Sequence, residues 1–137
     1  MSTVRDFLNQ VAEQLGDRAS LRVESLDGDE WIELLPRNPR AAKVAVGYSP
    51  LDPDADLWIT IADEDGGEPG DLEWLEQVSA AAIAGRVRLI EGSGRHLLEV
   101  TVASGDVRGS TAYDLRGCLP APFWPRRATV TQFEPYS

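Results

Sequence analysis

The spacing of apolar and polar positions changes period several times along the chain. Val4, Phe7, Leu8, Val11, Ala12 and Leu15 recur at i, i+3, i+4, i+7, i+8 and i+11, one face of a helix. Ser2 or Thr3 can cap its start and Gly16 can take the left-handed position at its end, which predicts a helix over about residues 3–15. From residue 20 the period falls toward 2. Leu21 and Val23, then Ile32 and Leu34, alternate with polar residues on either side of Asp27-Gly28-Asp29, a strong hairpin signal. Pro36, Arg37, Pro39, Arg40 and Lys43 mark a loop, and strands follow at residues 43–48 and 57–62 around the loop 50–56.

The run DEDGGEPGD leads into a second helix, with Asp71 as its cap, Gly85 as its stop, and Leu72, Leu75, Val78, Ser79, Ala82 and Ile83 as its stripe. At about 100° per residue Trp74 falls about 40° beyond Val78, outside that stripe, and is not an obvious core residue. Beyond it, RVRLI, HLLEVTVA and VRGSTAYDL are separated by Glu91-Gly92-Ser93-Gly94-Arg95 and Ser104-Gly105-Asp106 and read as an antiparallel meander. The end, CLPAPFWPRRATVTQFEPYS, opens on Pro120, Pro122 and Pro125 and is irregular there, with a short strand at about residues 129–133.

These elements predict an α+β fold in a single domain over residues 1–137, in the order α-β-β-β-β-α-β-β-β. The expected architecture is an antiparallel sheet of about six to seven strands with two helices packed on one face. Residues 117–137 form a Pro- and aromatic-rich tail expected to pack on the sheet. Strand parity then sorts side chains. If Ile32, Leu34, Leu57, Ile59 and Ile61 face the helices, Trp31, Glu33, Trp58 and Thr60 face away. Two tryptophans on a helix-free face call for a cover, either the tail around Pro120–Pro125 or a partner.

Composition narrows the chemistry. The 137 residues hold 23 acids and 13 bases, for a formal net charge of −10, with one Cys and one His. One Cys forms no internal disulfide, and one Cys with one His does not make a Cys/His zinc site, so no cofactor is expected and a reducing, cytoplasmic setting is. The start MSTVRDFLNQ has no signal-peptide pattern, and no stretch approaches the ~20 apolar residues of a membrane span.

The charge is regional. Residues 1–85 carry 18 acids against 6 bases, and residues 86–137 carry 5 against 7. Asp52, Asp54, Asp56, Asp63, Glu64, Asp65, Glu68, Asp71, Glu73 and Glu76 follow one another with no Lys or Arg between Lys43 and Arg86. Such a surface repels nucleic acid and anionic membrane and attracts a basic protein.

Sites of bond-making chemistry find little support. His96, the only imidazole, opens the apolar run His96, Leu98, Val100, Val102 at a strand start, as a hydrogen-bonded structural histidine does. Gly92-Ser93-Gly94 lacks the G-x-S-x-G spacing and sits in a hairpin turn. Cys118 has no basic neighbour nearer in sequence than Arg116 and reads as a small hydrophobe. Asp52, Asp54, Asp56 and Asp63 fall at ligand positions of a calcium loop, but Leu57 replaces its Gly and Asp63 its bidentate Glu. No phosphate-cradling loop is present. Pro122-Phe123-Trp124-Pro125-Arg126-Arg127 interleaves aromatics with bases as single-strand binders do, yet the overall acidity argues against nucleic acid.

The layout resembles small uncharacterised bacterial α+β proteins of toxin-immunity type. The resemblance runs over residues 80–136, through Ala-Gly-Arg-Val-Arg, the hairpins that follow, and Leu-Pro-Ala-Pro-Phe-Trp-Pro before a final Glu-Pro-Tyr. It carries no catalytic residue over. Together the readings lead to a non-enzymatic acidic binding protein, an inhibitor or immunity protein for a basic partner such as a nuclease toxin. Asp63, Glu64, Asp65 and Glu68 would steer that partner, and Trp74 and Trp58 would anchor it. The alternative is a peptide-binding chaperone or adaptor that uses the helix-free sheet face with Trp31 and Trp58. An enzyme working with carboxylates alone would need a deep pocket lined by at least two buried acids. The oligomeric state is left open by the sequence.

Overall fold

The chain runs α1 (Thr3–Leu15), a 3-10 turn (Gly16–Arg18), β1 (Ala19–Leu26), β2 (Asp29–Pro36), β3 (Val44–Tyr48), β4 (Leu57–Ile61), β5 (Glu68–Gly70), α2 (Leu72–Ile83), β6 (Val87–Gly92), β7 (Arg95–Thr101), β8 (Val107–Tyr113) and β9 (Thr129–Gln132). The computed structural model describes residues 3–51, 57–62, 68–92, 95–113 and 129–136. The α+β class and the antiparallel pairing are as the sequence predicts. The single sheet is not: the strands form a five-stranded sheet, β1-β2-β3-β4-β5, and a four-stranded sheet, β8-β7-β6-β9. The reason is local. Apart from β9, which pairs with β6, strands consecutive in the chain pair with each other, and α2 separates the two sets.

The β1–β2 turn and both ends of α2 have sequence causes. Asp27 (φ 53°) and Gly28 (φ 88°) both sit in the left-handed region, the two-residue type I′ turn that matches strand twist, and Leu26 pairs with Asp29 across it. At the α2 start the Asp71 carboxylate accepts from the Trp74 amide at 2.8 Å, filling one of the helix's unpaired donors. At its end Gly85 takes φ +75°, which a side chain resists.

α1 packs on β1 and β2, burying Val4, Leu8 and Leu15. α2 lies against both β3 and β7 and so joins the sheets around one core. Leu75, Val78, Ala81 and Ala82 of this helix meet Ile32, Leu34, Val44, Val46, Ile59 and Ile61 from the first sheet and Val87, Leu89, Leu98 and Val100 from the second. Each fully buried Leu, Ile or Val contributes about 1.5–3 kcal/mol.

The C-terminal residues tie the two halves. Phe133 N donates to Val87 O at 3.0 Å, Glu134 N to Arg40 O at 2.9 Å, and Tyr136 N to Ile83 O at 3.0 Å. The Tyr136 ring is 1% exposed, and its hydroxyl donates to Ala42 O at 2.6 Å. Burial pushes its phenol well above the ordinary tyrosine range. Asn38 Nδ2 donates to Glu134 Oε1 and to Pro135 O, each at 3.2 Å, closing the strap on the β2–β3 connection.

Because β1–β5 is a meander, its connections alternate between the ends of the sheet. The connection 52–56 enters β4 at Leu57, and the connection 63–67 leaves beyond Ile61, about 13 Å away at 3.3 Å per residue. The two acidic connections therefore join β4 at its opposite ends.

Candidate functional site

The helix-free face of the first sheet carries the expected parity. Ile32 and Leu34 are 0% exposed toward the helices, whereas Trp58 on the other face is 46% exposed. Cross-strand register puts Glu24, Trp31, Gly47, Trp58 and Pro69 in one row across all five strands. Gly47 is what lets the row close up. A Cβ there would lie 3.0 Å from Trp31 Cε3 and 3.8 Å from Trp58 Cβ, so the Trp31 ring lies over bare β3 backbone.

Charge on this face is paired around the aromatics. Trp31 Nε1 donates to Glu33 Oε1 at 2.9 Å, and Lys43 Nζ stands 3.8 Å from Glu33 Oε2. Arg22 pairs with Glu24 beside them on β1. Ala45, in the next row, is 2% exposed although it lies outside the main core. The result is a half-buried Trp31 with its indole N–H satisfied and a Trp58 ring open to solvent.

Trp74 sits on the opposite side of the sheet. A Cβ on Gly70 would come within 2.8 Å of Trp74 Cδ1, and Gly70 pairs with Leu57 where Trp58 pairs with Pro69. The indole is partly buried against the core. Trp74 thus lies at the margin of the core, outside the helical stripe as expected, and β5, a strand the sequence did not announce, offers Gly70 as its seat.

The other sequence-derived residues divide plainly. Asp63, Glu64 and Asp65 lie outside the described residues; the Glu68 backbone pairs with Ile59 in β5, while its side chain lies outside them. The calcium-loop positions Asp52, Asp54, Asp56 and Asp63, the Cys118 thiol, and the proposed cover Pro120–Pro125 with Phe123, Trp124, Arg126 and Arg127 also lie outside. Among the described residues no group of three or more His, Cys, Asp or Glu could hold a metal. His96 pairs with Glu91 across β6 and β7, its Nδ1 3.2 Å from Glu91 Oε2, but without hydrogen-bond alignment. Arg88 Nε donates to Glu99 Oε2 at 2.6 Å, and that bond, with the charge of Glu99, raises the guanidinium further above its ordinary value.

Among the described residues no Asp or Glu is fully buried, and the one buried polar side chain outside the tyrosines is Ser79, whose hydroxyl has no hydrogen-bond partner. Among the described residues no helix is long and apolar enough to cross a membrane. Sequence reasoning passed over Gly47, although a glycine inside an otherwise apolar strand, Val-Ala-Val-Gly-Tyr, is the usual mark of a close approach. No protein-family model, curated protein or solved structure matches the chain.

Proposed function

We propose that this chain is a non-enzymatic binding protein for a basic protein partner, of the inhibitor or immunity kind, with Trp58 as its anchor. One observation carries the reading. Trp58, the second residue of the five-residue β4, is 46% exposed, and both ends of that strand run into segments containing acids and no bases. An open indole ring offers a large apolar contact at little entropic cost, the property of binding hot spots. Acids on both sides raise the encounter rate with a basic surface. Trp74, seated on Gly70, braces β5 from the other side. The single Cys and the resemblance of residues 80–136 to immunity-type proteins support a reducing, cytoplasmic setting for this role.

The test uses the full chain immobilised as bait in host extract, with retained proteins identified by mass spectrometry and the pure complex then titrated. The proposal expects a basic protein whose affinity falls about 30-fold or more with Trp58→Ala, roughly 2 kcal/mol. Retention of acidic or neutral proteins alone, or a basic partner indifferent to Trp58, contradicts it.

A second reading is an adaptor that lays an extended peptide along the Glu24–Trp31–Gly47–Trp58–Pro69 row, which the cross-strand alignment favours. Peptide addition would then change tryptophan fluorescence. The triple reversal Asp63→Lys, Glu64→Lys and Asp65→Lys would leave peptide binding intact but would abolish capture of a basic protein.

A further inference from the structure

We infer that β1 is a self-association edge through which two copies of this chain pair antiparallel and join their five-stranded sheets into one. The two edges of that sheet differ. β5 is three residues long and carries Pro69, a combination that blunts an edge. β1 is eight residues long, has no proline, and pairs with β2 without a bulge.

The hydrogen-bond phase of β1 follows from its two ends. Leu26 and Asp29 flank a two-residue turn and so form a hydrogen-bonded pair, and at the far end Arg37 N donates to Arg18 O at 2.8 Å. The even-numbered residues therefore bond to β2. Leu21, Val23 and Ser25 direct their N–H and C=O groups out of the sheet, unpaired.

Charge then selects one register. Centred on Val23, the two-fold sets Leu21 against the partner's Ser25 and Val23 against the partner's Val23, completing about six backbone hydrogen bonds. The same register sets Arg22 against the partner's Glu24 and Glu24 against the partner's Arg22 on the helix-free face, so that the ring of four charges alternates in sign. A two-fold centred on Arg22 would oppose two arginines, and one centred on Glu24 two glutamates; directly opposed like charges destabilise a pair. Burial fits as well. Leu21 is partly buried while Val23 is 39% exposed and Ser25 is exposed, so the two-fold lays the open half of each β1 beside the covered half of the other. The two exposed valines then meet.

Sedimentation velocity on the full chain tests this. Wild type is expected to show twice the 15.0 kDa mass of one chain at high concentration. Arg22→Glu, which surrounds the two-fold with four carboxylates, should return the monomer, and the double swap Arg22→Glu with Glu24→Arg should restore the dimer. Val23→Pro removes an N–H that β2 does not use and should give a monomer with an unchanged circular dichroism spectrum. A wild type that stays monomeric to about 1 mM overturns the inference, as does a dimer that survives both Arg22→Glu and Val23→Pro.

Discussion

Burial of the Tyr136 phenol has a pH signature. Its acid form is favoured in the fold, so the folded pKa lies above that of the unfolded chain. The unfolded state then sheds its proton from about pH 10 while the folded state keeps it. Stability is full below that pH and falls above it, by up to about 1.4 kcal/mol per pH unit. Tyr136→Phe should flatten this alkaline limb in urea titrations, while costing about 1 kcal/mol at neutral pH by leaving Ala42 O without its partner. Equal alkaline slopes in the two proteins would contradict the assignment. Ser79→Ala should raise stability by about 1 kcal/mol, because the buried hydroxyl it removes has no hydrogen-bond partner. Gly85→Ala acts in the other direction: a Cβ there meets Pro135 N at 2.7 Å and the φ of +75° strains it, so a loss of about 2 kcal/mol or more is expected, with the C-terminal strap displaced. Thermal melts of the two variants should therefore shift oppositely.

Among the elements, those with self-contained signals were legible. α1 shows its apolar period and β1–β2 its Asp-Gly turn, and both stand where the pattern puts them. The α2 cap is equally local, and Asp71→Ala should cost about 1 kcal/mol by freeing the Trp74 amide. β5 was hidden because its three residues, Glu-Pro-Gly, have strand character only once β4 lies beside them. The position of β9 was visible in Thr129-Val-Thr-Gln, but its pairing with β6 was not, since no short turn links the two. The same gap concealed the division into two sheets. In the candidate site, parity exposed Trp58 correctly, whereas Trp74 depended on Gly70, a neighbour in space that the helical period does not register.

The net charge of −10 takes on direction in the whole molecule. A row holding Trp31 and Trp58 crosses one face of the first sheet, and the acid-only connections join β4 at its opposite ends, Leu57 and Ile61. A partner approaching Trp58 would feel both. Electrostatic steering of a basic protein onto Trp58 can be read from stopped-flow association of the pure pair as ionic strength rises. Steering requires an on-rate that falls about tenfold or more between about 0.01 and 0.15 M salt, where the Debye length shrinks from about 30 to 8 Å, and a dissociation rate that responds mainly to Trp58→Ala. An on-rate that ignores salt over that range would contradict it.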